Sequence, residues 1–243
     1  MMKNKNQNPI LRFSPTAWAK LVFMRDMTHN EVGGFGITRP DDLLFVTDFI
    51  LVKQKVTVVS VLLDDMAVAD YFDQQVELDR KPEQFARIWL HTHPGSSPNP
   101  SGTDEQTFRR VFGACDWSAM FILAQDGSPY ARLHFKAGPG GDLKIPVHID
   151  YSCDFQGTDT EQWTHQYKTL VTEETLSLLT KEPPAKEKTA PFGSKDSCLL
   201  PDMSPEELLD EIDQMDPLER QAFMNELAIR SDFWEEYEKE VLE

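Results

Sequence analysis

Four side chains of this sequence have the types and spacing to do chemistry around a divalent ion. His91 and His93 flank Thr92 at the end of an apolar run, Arg87-Ile88-Trp89-Leu90, which reads as a buried strand. In extended backbone alternate side chains point the same way, roughly 6.6 Å apart, so the two imidazoles converge on one point. Pro94, Gly95, Pro98, Asn99 and Pro100 then force a turn-rich loop, and Ser101-Gly102-Thr103-Asp104 opens a helix. Asp104 falls in the first helical turn, facing the histidines. Two neutral imidazoles and a carboxylate leave a tetrahedral ion one open position, the arrangement of catalytic rather than structural zinc, and a water there becomes acidic enough to attack near neutral pH. Such a site needs a base for the water's proton and a donor for the developing oxyanion. Ser101 is placed for the second role.

Capping alone explains Ser-x-x-Asp at a helix start, and a single His is more often a satisfied polar residue than a ligand. The combination of His-x-His-Pro, seven residues from His93 to Ser101, and Ser-x-x-Asp favours the metal. This pattern resembles the JAMM motif of MPN (JAB) domains, a family of zinc isopeptidases that includes deubiquitinating enzymes. Its Glu, placed between an N-terminal helix and a glycine-containing strand, matches Glu31 in His29-Asn30-Glu31-Val32-Gly33-Gly34-Phe35. The resemblance covers roughly residues 10 to 150. It implies one zinc ion per chain held by His91, His93 and Asp104, with Glu31 as general base and Ser101 as oxyanion stabiliser. The implied reaction is hydrolysis of the amide after the C-terminal glycine of ubiquitin or a ubiquitin-like protein, in deconjugation or precursor processing. The loop Gly95–Pro100 looks more like prokaryotic members, which makes a bacterial ubiquitin-like or sulfur-carrier protein a reasonable substrate and other conjugation-pathway proteins possible partners.

Composition bounds the rest. At 243 residues with 40% hydrophobic content, the chain can bury one good core and a small second unit. The net charge of −17 is uneven, since residues 201–243 carry 15 acids against 3 bases. An acidic chain without a basic stripe argues against nucleic acid. The polar N-terminus leads into no long apolar run, so no secretory signal, membrane span or membrane partner is expected. Cys115, Cys153 and Cys198 are few and widely spaced. They fit a reducing compartment and give no ligand spacing, so the expected location is cytoplasmic.

The expected architecture is an α/β MPN (JAB) fold with a mixed, mainly antiparallel sheet flanked by helices and a C-terminal acidic helical extension. Ser14-Pro15 starts a helix ending near Thr28. Phe35–Thr38, Leu43–Val52 and Lys55–Leu62 read as an antiparallel meander, and Ala67–Leu78 as a helix. The strand ending at His91 and a helix from Thr103 to about Gly113 follow. Trp117–Ala124 and Tyr130–Lys136 form a hairpin across Asp126-Gly127, Leu143–Tyr151 a further strand, and Thr158–Leu179 a closing helix capped by Thr158-x-x-Glu161. The catalytic domain is expected over 1–180, a Pro/Lys/Glu-rich linker over 181–203, and acidic helices over 204–243, with oligomeric state left open. Alternative readings are a RadC-like, DNA-repair-associated protein with a similar His-x-His-Pro loop, a non-catalytic MPN scaffold, and a non-haem iron oxygenase.

Overall fold

The computed structural model describes residues 8–174 together with residue 220. The linker expected over 181–203 and the acidic helices expected over 204–243 lie outside the described residues, Arg220 apart. In chain order the elements are β1 (Leu11–Phe13), α1 (Pro15–Asp26), β2 (Gly33–Arg39), β3 (Asp42–Ile50), β4 (Gln54–Thr57), β5 (Ser60–Leu63), α2 (Asp65–Glu77), α3 (Pro82–Phe85), β6 (Ile88–His93), α4 (Gly102–Phe112), β7 (Trp117–Ala124), β8 (Pro129–Phe135), β9 (Gly141–Lys144), β10 (Val147–Ile149), α5 (Thr160–Leu170) and β11 (Val171–Glu173). The fold is mixed α/β.

One eight-stranded sheet runs in the order β10-β1-β3-β2-β6-β7-β8-β9, and β11-β4-β5 form a smaller sheet. Three of the seven pairings in the large sheet are parallel, β1 with β10, β1 with β3 and β6 with β7. Only Ile145 and Pro146 separate β9 from β10, the opposite edges of that sheet. Three Cα steps span at most about 11 Å, so the sheet must curl until its edges nearly meet.

Strand alternation divides the interior into two apolar clusters. Ile88 and Leu90 of β6, with Ala119, Phe121 and Leu123 of β7, pack with α1 and α5 residues Leu21, Met24, Trp163 and Tyr167. Trp89 of β6, with Met120 and Ile122, faces the other way onto Phe108 and Phe112 of α4, Tyr71 of α2 and Phe85 of α3. Because the period of a strand is two, His91 and His93 share the face of Trp89.

Several elements form where local pattern predicts. Ser14 caps α1, its side chain accepting from the Ala17 N–H at 3.1 Å with Pro15 at the first helical position. The Asp126-Gly127 turn joins β7 to β8, with Gly127 at φ 90°. Three segments differ. Lys55–Leu62 is not one strand but the hairpin β4–β5, in which Thr57 pairs with Ser60 across Val58-Val59. The turn is closed by a 2.9 Å bond between the Thr57 and Ser60 hydroxyls instead of by glycine, and so carries no turn signature. Leu143–Tyr151 is divided at Ile145-Pro146, where the Ile145 N–H donates to Ala131 and the Pro146 carbonyl accepts from Leu11 on the far edge. The closing helix starts from Asp159, which accepts from the Gln162 N–H at 2.9 Å, and ends at Leu170. Val171 and Thr172 are β-branched and leave the helix to pair parallel to β4 as β11.

Candidate metal centre

The centre forms where β6 ends, at the carboxyl ends of two parallel strands joined by the helix α4. Open parallel sheets bind ligands at such ends. His91 is fully buried and His93 is 3% exposed. The His91 ring stacks on Trp89 at 4.1 Å between centroids and an interplanar angle of 25°, and Trp89 in turn lies against Phe108 and Phe112. This column fixes the ring from below.

Asp104 arrives from the start of α4. Ser101 is the N-cap, and the pair forms a reciprocal capping box. The Asp104 N–H donates to Ser101 Oγ at 3.1 Å, while the Ser101 N–H and hydroxyl both donate to Asp104 Oδ2, at 2.8 and 2.9 Å. The cap points the carboxylate at the histidines, Oδ1 lying 3.1 Å from His91 Nε2 and Oδ2 3.2 Å from His93 Nε2. The helix is braced from outside by Glu105, which takes both ends of the Arg132 guanidinium from β8.

Glu31 reaches the same point through sheet register. Gly33, Gly34 and Phe35 lie opposite His91, Leu90 and Trp89 in the antiparallel β2–β6 pair. Continued two residues past the strand's end, that register sets Glu31 opposite His93. Its Oε1 is 3.7 Å from His93 Nε2, and the residue is 4% exposed. The four residues picked out by spacing, His91, His93, Ser101 and Asp104, and Glu31, matched through the motif's resemblance, are therefore brought together.

The donor set fits a divalent cation. Ligand atoms of His91, His93 and Asp104 lie within 4.8 Å of one another, the one such group among the described residues. A tetrahedral ion with bonds of ~2.0–2.1 Å needs ligand separations of about 3.3 Å, close to the two His–Asp distances. The tautomers point the same way. A carbonyl can only accept, and His93 Nδ1 lies 3.0 Å from the Ser97 carbonyl. A neutral His93 thus keeps its proton on Nδ1 and turns the Nε2 lone pair towards Asp104. Burial pushes His91 below its ordinary value, leaving it neutral at pH 7. Its Nε2 faces Asp104 without hydrogen-bond alignment, and its Nδ1 meets no partner. Burial acts to raise the Asp104 carboxyl, but the adjoining His91 and His93 rings, through their charge when protonated and through N–H donation, outweigh it and hold it well below the carboxylate range. A buried carboxylate facing the His93 lone pair is repulsive unless a cation or proton stands between them.

Two residues at the centre carry roles that the motif does not announce. Thr92 points to the opposite face of β6 from the histidines, where its Oγ1 accepts from the Val32 N–H at 2.9 Å. Gln54, 1% exposed, accepts from the Gly33 N–H at 2.9 Å and donates to the Gly33 and Val52 carbonyls at 2.8 and 3.0 Å. A hydroxyl residue in an otherwise apolar strand was a signal for Thr92. Gln54 offered none, lying in Lys53-Gln54, which reads as a break between strands.

The sequence matches no family model, and no curated protein matches it. Among the described residues, no helix is long and apolar enough to cross a membrane.

Proposed function

We propose that this chain is a zinc-dependent peptidase or isopeptidase of the JAMM type, on an MPN fold, which hydrolyses the amide after the C-terminal glycine of a ubiquitin-like protein. The observation that carries the reading is the convergence of His91, His93 and the Asp104 carboxylate, all buried and with ligand atoms within 4.8 Å of one another, with Glu31 beside them. A divalent cation suits that donor set, and the carboxylate alongside has the position of a base.

His91, His93 and Asp104 would hold the ion, which when bound supplies Lewis acidity towards the scissile carbonyl and an acidified water. Glu31 takes the proton of the attacking water at its carboxylate and returns it to the leaving amine. Ser101 has one hydroxyl proton, which rests on Asp104 Oδ2. To stabilise the tetrahedral oxygen it must turn from Asp104 to the substrate as negative charge develops there. Trp89 and Phe108 keep water from beneath the imidazoles.

The substrate assignment rests on the motif's resemblance, since the donor set supports hydrolysis without pointing to a leaving group. The test is incubation of the purified full chain with a panel of ubiquitin-like proteins carrying C-terminal extensions, read by mass spectrometry. Cleavage after the terminal glycine, abolished by chelation and restored by zinc, is the expected result. Intact substrates across the panel, with zinc bound, would overturn the peptidase reading.

A further inference from the structure

We infer that Gln54 and Thr92 are positioning residues for Glu31, clamping the three residues Glu31–Gly33 from both sides; the inference rests on the reading of Glu31 as the base. In this segment alternate backbone groups face opposite neighbours. Val32 faces β6, where the Thr92 N–H donates to its carbonyl at 3.0 Å and its own N–H donates to Thr92 Oγ1. Glu31 and Gly33 face the other way. There β3 has already left the sheet, its last partner on this side being Ile50 opposite Phe35.

Gln54 takes the place of the missing strand. Its carboxamide meets both the N–H and the carbonyl of Gly33, as a paired strand would, and the Thr57 carbonyl at the other end of β4 accepts from the Glu31 N–H at 2.9 Å. Gly33 leaves the room this requires, since a Cβ there would lie 2.9 Å from Val61 Cγ1 of β5. Glu31 thus stands two residues before the start of β2, on backbone held by Gln54, Thr57 and Thr92. Catalysis is sensitive to such placement, because a 1 Å error at a reacting group can cost ~100-fold.

The experiment is a double-mutant cycle in the full chain. Gln54→Leu and Thr92→Val should each lower kcat by about 10- to 100-fold, with KM and zinc stoichiometry unchanged, and Thr92→Ser should recover most of the loss. Combined with Glu31→Gln, either substitution should cause little further loss, because both act through the carboxylate already removed. Losses that multiply with that of Glu31→Gln, or kcat retained in both variants, would overturn the inference. Amide exchange over residues 30–34 supplies a reading independent of turnover. Faster exchange there in zinc-loaded Gln54→Leu and Thr92→Val supports the clamp, and unchanged exchange refutes it even if no substrate is cleaved. Unimpaired turnover in Glu31→Gln alone would instead refute the role of Glu31 as base.

Discussion

The two faces of β6 are a controlled comparison within one strand. Towards α1 and α5 it presents Ile88, Leu90 and the methyl of Thr92, and the only polar atom there is the Thr92 hydroxyl, bonded to Val32. Towards α4 it presents Trp89, His91 and His93, an aromatic column that turns polar at its end. Both faces are buried to the same degree, so exposure does not explain the difference. The apolar face is stable in itself. The histidine face gathers two imidazoles and a carboxylate, a buried donor set that could bind a metal ion. One face serves the fold and the other spends stability on a site.

The comparison can be broken most severely by Glu31→Gln, which should leave ion binding intact and lower turnover by at least ~100-fold, the scale of general base catalysis. Steady-state kinetics beside metal analysis checks it. Near-normal turnover would remove Glu31 from the mechanism. Next in size is Leu90→Ala on the apolar face, which should cost about 2–5 kcal/mol in chemical denaturation while leaving metal stoichiometry unchanged.

His91→Leu sharpens the contrast, because it places a side chain of apolar character in the column under Asp104. In metal-free protein it should cost less stability than Leu90→Ala, since it removes a buried polar ring whose Nδ1 has no partner. In the presence of zinc the order should reverse, because the wild type and Leu90→Ala gain the binding energy and His91→Leu does not. Thermal unfolding with and without chelator measures both. The smallest effect is one of pH. A His91 held below its ordinary 6.5 binds fewer protons folded than unfolded. Its contribution to stability is therefore present above that value and is lost as pH falls through the lower folded value. Acidification of metal-free protein from pH 7 to 5 should destabilise the wild type more than His91→Leu.

What the sequence disclosed about this centre follows from how local its parts are. His91, His93, Ser101 and Asp104 lie within one strand, one loop and one helical turn, so spacing alone predicts their convergence. Glu31 is sixty residues from His91, yet a helix end before Gly33-Gly34 marked it, and antiparallel register delivered it. Gln54 was invisible because its role is created by the departure of β3 from the sheet, a property of the assembled topology and not of residues 53–55. The hairpin at Thr57–Ser60 was hidden for a related reason: side-chain hydroxyls close it, and Val58-Val59 reads as a continuing strand. Leu143–Tyr151 reads as one strand across Pro146, and only the curl of the sheet explains why so short a link can change edges.

The most direct measurement is metal analysis of the purified chain with X-ray absorption at the metal edge. The account predicts one zinc ion per chain, bound by two imidazole nitrogens and a carboxylate oxygen and lost in Asp104→Ala. A chain that is free of metal and takes up none when dialysed against zinc, or one that binds equally well without Asp104, would contradict it.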